Sequence, residues 1–302
     1  MITPTIQPLE SARLAQYALP IPCYVCETDN TLDAETCTRC QAPMALAHQA
    51  AMRDTAPRMI ATMGAGGAGK TVYLGMLMDL LSHQSDQTKL LARGAFSITL
   101  QQATIMALAS CRFPAKTPNE PDRWNWVHCQ VLKPKQKQPL ELIMPDMAGE
   151  AILEEVDHPH SYRIIGAFLK KCSGSLILVD AIRIEAGSRQ EDYFAMKLLS
   201  YLSELIYNAR SNPAKRPIAV VFTKADQCDA CRDNPTEFAR RHAPGLWQQC
   251  REQFPCHRFF ASGVAGTCAT FDSVTEGRVL APLRVEPHGI IEPFAWLLEQ
   301  LP

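Results

Sequence analysis

Short apolar runs alternate with polar or glycine-rich turns along most of the chain. Arg58–Met63 leads into a glycine-rich stretch and then into Val72–Leu81, whose apolar positions suit a helix. Leu140–Met144, Pro217–Phe222 and Arg258–Ala261 each end in a small polar turn. Ser175–Asp180 is apolar almost throughout, the pattern of a strand covered on both faces of a parallel sheet. Between two such runs, Lys133–Pro139 is short and basic and reads as a hairpin turn with its charges in solvent. Ahead of them, residues 44–56, with Leu46, Ala47, Ala50 and Ala51, read as a short connecting helix.

Composition adds limits to this pattern. With 302 residues, 47% of them apolar, the chain can bury a full core. A net charge of −1 sets up no global field toward nucleic acid, and the four tryptophans have no interleaved basic run, so they read as core residues. No apolar run is long enough to span a bilayer, and Met1–Pro4 lacks a basic segment followed by an apolar stretch, so a cytoplasmic location is expected.

The chain holds twelve cysteines, and four of them form two pairs: Cys23-x-x-Cys26, ten intervening residues, then Cys37-x-x-Cys40. Two tight thiolate pairs suit tetrahedral Zn²⁺, which would supply most of the folding energy of so short a segment. Four cysteine ligands leave no open position for catalysis, so a structural or partner-binding role is expected of this ribbon. Cys228 and Cys231, with Cys250, Cys256 and His257 downstream, raise a second zinc site against the plainer reading of free thiols in and around a helix.

The glycine-rich stretch is Gly64-Ala65-Gly66-Gly67-Ala68-Gly69-Lys70-Thr71, between a strand and a helix. A loop that wraps polyphosphate must turn successive N–H groups inward, which needs small residues, and the helix N-terminus adds a favourable dipole. Gly66, Gly67, Ala68, Gly69 and Val72 would line the phosphates, Lys70 would reach the β and γ groups, and Thr71 would ligate Mg²⁺. Asp146-Met147-Ala148-Gly149 follows a strand; its Asp can hold Mg²⁺ through water and its Gly can offer an N–H to a γ phosphate. In Thr223-Lys224-Ala225-Asp226, a carboxylate can accept the ring N–H and amine of guanine, which adenine does not present, and the Lys224 stem can lie over the base. Amides near Ser262 and Gly263 could meet the guanine carbonyl.

In this order the motifs resemble the superclass of P-loop GTPases that includes the Ras-like and translation-factor proteins. With the cysteine ribbon and the ending Arg284–Leu298, the chain is similar to bacterial double-GTPase proteins. The resemblance implies an α/β, doubly wound, mostly parallel sheet of the P-loop GTPase fold over 57–302. Ahead of it would stand a tail at 1–19, the zinc ribbon at 20–43 and the helical linker at 44–56. It implies GTP/GDP and Mg²⁺ as ligands, hydrolysis of GTP, and two mobile switch segments that meet protein partners in a multi-protein system. In the first switch, shortly before a strand at Trp124–Leu132, Thr117 is the candidate to complete the metal shell.

Three departures qualify the likeness. Thr223 replaces the usual Asn of the guanine motif. The span from Thr71 to Asp146 is long, so a helical insertion is expected at about 85–112. Glu150 stands where many members carry a water-orienting Gln, which implies slow unaided hydrolysis with a partner supplying a missing group. The competing readings are a non-hydrolysing, nucleotide-bound zinc-ribbon adaptor and an ATPase with a chance Thr-Lys-Ala-Asp.

Overall fold

The computed structural model describes residues 19–51, 57–83, 88–133, 138–208, 216–273 and 277–301. Most of the tail at 1–19, the end of the linker, residues 85–87 of the expected insertion and the centre of the basic turn at 133–139 lie outside these residues. The chain divides into two units, Met1–Ala56 and Pro57–Pro302.

In the first unit, two short antiparallel strands, β1 (Ile21–Pro22) and β2 (Asp29–Asn30), precede the helix α1 (Met44–Ala51). The two Cys-x-x-Cys turns repeat each other. Glu27 and Gln41, each four residues after the first cysteine of its pair, have positive φ (61° and 66°). Their N–H groups bond back to the carbonyls of Cys23 and Cys37, both at 2.9 Å. Such local turns can form from spacing alone, without a large apolar core.

The second unit is a seven-stranded sheet flanked by helices on both faces. Its strands are β3 (Arg58–Gly64), β4 (Lys89–Arg93), β5 (Asn125–Leu132), β6 (Leu140–Asp146), β7 (Gly174–Asp180), β8 (Ile218–Thr223) and β9 (His257–Ala261). Their order is β4-β5-β6-β3-β7-β8-β9, and β5 runs antiparallel to both its neighbours while the other pairs are parallel. This is an α/β, doubly wound, mostly parallel sheet. Apolar runs in β3, β7 and β8 suit it because their residues are covered on both faces.

Ile60, Leu176, Leu178 and Val221 turn to one face, where α2 (Lys70–His83), α3 (Gly94–Ala109) and α11 (Ile291–Gln300) pack. Their neighbours Met59, Ala61, Ile177 and Phe222, equally buried, turn to the other. There α4 (Gly149–Asp157), α5 (Arg163–Lys171), α6 (Ala181–Glu185) and α7 (Arg189–Asn208) follow β6 and β7. Trp126 on β5 meets Phe168 of α5 edge to face, with ring centroids 5.7 Å apart. Trp124 and Trp126 are both 1% exposed, as expected of core residues.

The span between Thr71 and Asp146 holds more than a helix: β4 extends the sheet beyond β5, and α3 packs on α2. β4 mixes Lys89 and Arg93 with apolar positions, a weak strand signal that only pairing with β5 stabilises. The contact with α2 is close. A Cβ built on Gly75 would stand 2.2 Å from Thr104 Oγ1 and 2.5 Å from Thr104 Cβ, so a side chain at Gly75 would push the helices apart.

After β8, α8 (Asp229–Asp233), α9 (Pro235–His242) and α10 (Pro244–Gln253) lead to β9, and a hairpin of β10 (Cys268–Ser273) and β11 (Gly277–Pro282) follows. No helix among the described residues is long and apolar enough to cross a membrane.

Candidate functional site

The central strand β3 has β6 on one side and β7 on the other, so the connections leaving their carboxyl ends diverge and open a crevice there. Gly64 ends β3 beside Leu178, and a Cβ on it would fall 2.4 Å from the Leu178 carbonyl oxygen. Residues 64–71 then turn into α2 with positive φ at Gly67 (79°) and Gly69 (83°), the left-handed conformations that the glycine spacing demands. Lys70, 6% exposed, donates from Nζ to the carbonyls of Gly64 (2.9 Å) and Ala65 (3.1 Å). An ammonium has three N–H groups, so one remains for a ligand. Burial lowers the Lys70 pKa against the pull of Asp146, Glu150 and Glu191, which makes an anion in the loop a welcome partner.

Three residues from separate elements meet beside this loop. Thr71 Oγ1 and Thr117 Oγ1 both donate to Asp146 Oδ2, at 2.9 and 3.0 Å, and the two hydroxyls lie 3.1 Å apart. Asp146 is fully buried, and its other oxygen, Oδ1, has no hydrogen-bond partner among the described residues. Burial raises its pKa, against the hydroxyl bonds and Lys70. Two hydroxyls and a carboxylate with a vacant lone pair form a hard oxygen donor set, which fits Mg²⁺. Trp124 helps to hold the Thr117 segment: its Nε1 donates to the Pro118 carbonyl at 2.9 Å.

Gly149 opens α4 against the phosphate loop. A Cβ there would lie 2.4 Å from Gly66 N, so only glycine allows this approach. The next residue, Glu150, forms an ion pair with Lys116 at 2.6 Å, one residue before Thr117. Burial opposes ionisation of Glu150, yet Lys116, with Lys70 behind it, holds its carboxyl below the usual range. Glu150 is therefore a carboxylate at neutral pH. It borders the loop, since a Cβ on Gly66 would stand 2.2 Å from its Oε1.

At the opposite end of the cleft, the Thr223 hydroxyl lies between the carbonyls of Ala68 (2.9 Å) and Val179 (3.2 Å). Thr223 thus ties β8 to the phosphate loop and to β7. Lys224 has φ of 59°, unusual for a side chain of its length and typical of strained functional turns. Its Nζ binds Asp180 Oδ2 at 2.5 Å. Asp226 Oδ2 is buried without a hydrogen-bond partner among the described residues, an acceptor left open for a donor from a ligand.

Ser262 and Gly263 line the same cleft, but their amides are already committed. Ser262 N–H bonds Phe222 O at 2.8 Å, and Gly263 N–H bonds His288 O at 3.0 Å. The end of β8 takes the Ser262 amide and the segment at His288 takes the Gly263 amide, so, contrary to the sequence expectation, neither of these two N–H groups is free for a guanine carbonyl. Val264 and Ala265, next along the chain, also line the cleft and make no backbone N–H bond among the described residues. Val72 lies at the cleft wall. The whole cleft measures about 680 Å³.

In the first unit, the sulfurs of Cys23, Cys26, Cys37 and Cys40 lie within 4.8 Å of one another. Cys23 and Cys40 are 3.6 Å apart, and Cys26 and Cys37 3.5 Å. Four sulfurs each about 2.3 Å from a central zinc would be separated by about 3.8 Å, so the cluster fits that ion with little adjustment. Val25 and Arg39 donate their N–H groups to Cys23 and Cys37 Sγ, both at 3.4 Å, which supports thiolates. The hydrogen bond from Cys40 pulls the Cys23 thiol well down. Among the described residues no second group of this kind forms, and Cys228, Cys231 and Cys250 are buried free thiols.

Arg183, three residues after the end of β7, belongs to no sequence motif, although it reaches the phosphate loop with a bond from Nη1 to Gly66 O at 3.2 Å. A strand-end Asp followed three residues later by Arg is too common a pattern to single it out. No local pattern marks Lys116 or His288 either.

The sheet order, the glycine loop at its switch point and the carboxylate and hydroxyl groups gathered beside it define a P-loop GTPase domain. The Double-GTPase 2 family profile matches residues 58–283, most of the second unit, and the chain belongs to that family. No curated protein matches the sequence. Solved structures similar to it include nucleolar GTP-binding protein 1 of Plasmodium falciparum, 10% identical over 81% of this chain and 86% of that chain, with a TM-score of 0.37. The GTPase-like domain of Ski7 from S. cerevisiae, bound to GTP, is 13% identical over 81% of this chain and 50% of that chain (TM-score 0.42). A chain of the signal recognition particle receptor SRβ-GTP/SRX complex of Chaetomium thermophilum is 13% identical over 69% and 91% (TM-score 0.32).

Proposed function

We propose that this chain is a guanine-nucleotide switch that hydrolyses GTP to GDP and phosphate, with its zinc ribbon serving as a partner-binding module. The observation that carries the proposal is the convergence of Thr71, Thr117 and Asp146, which couples a switch segment to the phosphate loop through one carboxylate. A γ phosphate would be read by the Gly149 N–H and by Lys70. Bound Mg²⁺, held by the same three residues, would neutralise charge on the β and γ phosphates. Asp226, with its open acceptor, supports guanine as the base. Cys23, Cys26, Cys37 and Cys40 would hold Zn²⁺. The family resemblance implies a bacterial multi-protein setting, and this setting and a cytoplasmic location both belong to the proposal.

One observation favours the adaptor reading, in which nucleotide is held without turnover: Glu150, ionised and paired with Lys116, stands where a water-orienting Gln would. Binding and single-turnover hydrolysis of GTP and ATP with Mg²⁺ separate the readings. We expect GTP to bind and turn over and ATP to do neither. In Asp226→Asn the acceptor becomes an amide, so GTP should weaken by roughly 100-fold while xanthosine triphosphate gains. ATP turnover without GTP binding would overturn the guanine assignment, and tight GTP binding with no turnover would leave the adaptor.

A further inference from the structure

Arg183 is held from two sides. Asp180, 2% exposed, caps α6 through Oδ1, which accepts from the N–H groups of Ile182 (3.0 Å) and Arg183 (3.2 Å). Its Oδ2 faces Arg183 Nε at 3.6 Å and also receives Lys224 from the base end of the cleft. Glu191, 4% exposed in the first turn of α7, accepts from Nη1 at 2.7 Å. The side chain is nevertheless half exposed, and it borders the nucleotide cleft.

Nη1 is therefore occupied by Glu191 and Gly66 O, whereas Nη2 takes no acceptor among the described residues. It lies 3.4 Å from the point where a Cβ on Gly67 would stand. A guanidinium presents five N–H donors in a rigid fork, and here one arm of the fork is anchored while the other stands beside Gly67. Tying a single carbonyl would need neither a charged group nor two buried carboxylates. Burying Asp180 and Glu191 is costly unless cations answer them, so the arrangement is built to hold this guanidinium in place.

We propose that Arg183 is a catalytic residue supplied by the chain itself, whose Nη2 meets the phosphate oxygens of GTP as hydrolysis proceeds. The inference rests on the GTP-hydrolysing reading above. Water adds to the γ phosphorus as the bond from that phosphorus to the bridging oxygen breaks. The proton of water passes to the released phosphate, and negative charge gathers on the oxygen that leaves with GDP. A fixed cation beside Gly67 stabilises that charge as it develops, and needs no reorganisation to do so. Asp180 thereby links two ends of one ligand: it holds Lys224 at the base and helps to aim Arg183 at the phosphates.

The test uses the full chain with Arg183→Ala and Arg183→Lys. Three quantities are read: affinity for a fluorescent GDP analogue, single-turnover GTP hydrolysis, and the fluorescence change of bound GDP analogue on adding aluminium fluoride, which mimics the transferring phosphoryl group. The expected result for Arg183→Ala is GDP affinity within about threefold of wild type, hydrolysis slower by roughly 10³-fold, and loss of the aluminium fluoride response. Arg183→Lys should recover only part of the rate, since an ammonium cannot fork. Wild-type hydrolysis and aluminium fluoride response in Arg183→Ala would overturn the proposal, as would a parallel loss of GDP affinity and folding in both variants, which marks a structural pin. A wild-type chain that binds GTP but shows neither turnover nor the fluoride response also refutes it. If the wild-type chain binds no guanine nucleotide, the guanine reading fails first and the role of Arg183 falls with it.

Discussion

Gly149→Ala tests how closely the start of α4 must approach the phosphate loop. The added Cβ would stand 2.4 Å from Gly66 N and 2.5 Å from Ala65 C, while ordinary contact begins near 3.4 Å. Both opposing atoms are backbone, so the deficit of about 1 Å cannot be absorbed by a rotamer change. Overpacking of this kind costs about 1–3 kcal/mol, which is a factor of roughly 5–150 in an equilibrium. The cheaper relief is for the start of α4 to retreat, because the loop is held by β3 and α2. Retreat withdraws the Gly149 N–H from a γ phosphate but leaves the contacts to α and β phosphates. Titration of fluorescent GDP and of a non-hydrolysable GTP analogue should show GDP within about threefold of wild type and the GTP analogue weakened by tenfold or more. Gly66→Ala is the control: the atoms nearest its Cβ belong to the Glu150 carboxyl group, Oε1 at 2.2 Å and Cδ at 3.0 Å, a side-chain end that can swing away at the expense of the Lys116 pair. Equal weakening of both nucleotides in Gly149→Ala, or none, would refute the reasoning.

Three further outcomes follow from the packing. Metal analysis should find about one zinc per chain, and Cys37→Ser should abolish it and expose residues 19–51 to protease; about two zincs would contradict the cysteine assignment. Gly75→Ala places a Cβ against the fully buried Thr104, so the unfolding temperature should fall by about 2–4 °C for each kcal/mol of an overpacking cost of about 1–3 kcal/mol. Thr223→Ala removes the hydroxyl shared by Ala68 and Val179, worth about 1 kcal/mol, and GDP should dissociate roughly fivefold faster. An unchanged rate would remove Thr223 from the site.

The sequence by itself determined the local motifs, because their chemistry depends on near neighbours. Two Cys-x-x-Cys turns, a glycine loop between strand and helix, and a strand-end Asp followed by Gly need no distant residue to be recognised. Thr117 is singled out only by family likeness, and its meeting with Thr71, 46 residues away, is a fact of tertiary structure. Tertiary structure alone decided which groups are already satisfied. The Gly263 amide belongs to His288, Glu150 belongs to Lys116, and Thr223 fastens the loop. It also brought Arg183 across 117 residues to Gly66. Periodicity can assign a residue to a buried or exposed face, but a hydrogen bond closes only when two elements pack. The sheet order that carries β7 next to β3 is set by pairing over long loops, which no local pattern records.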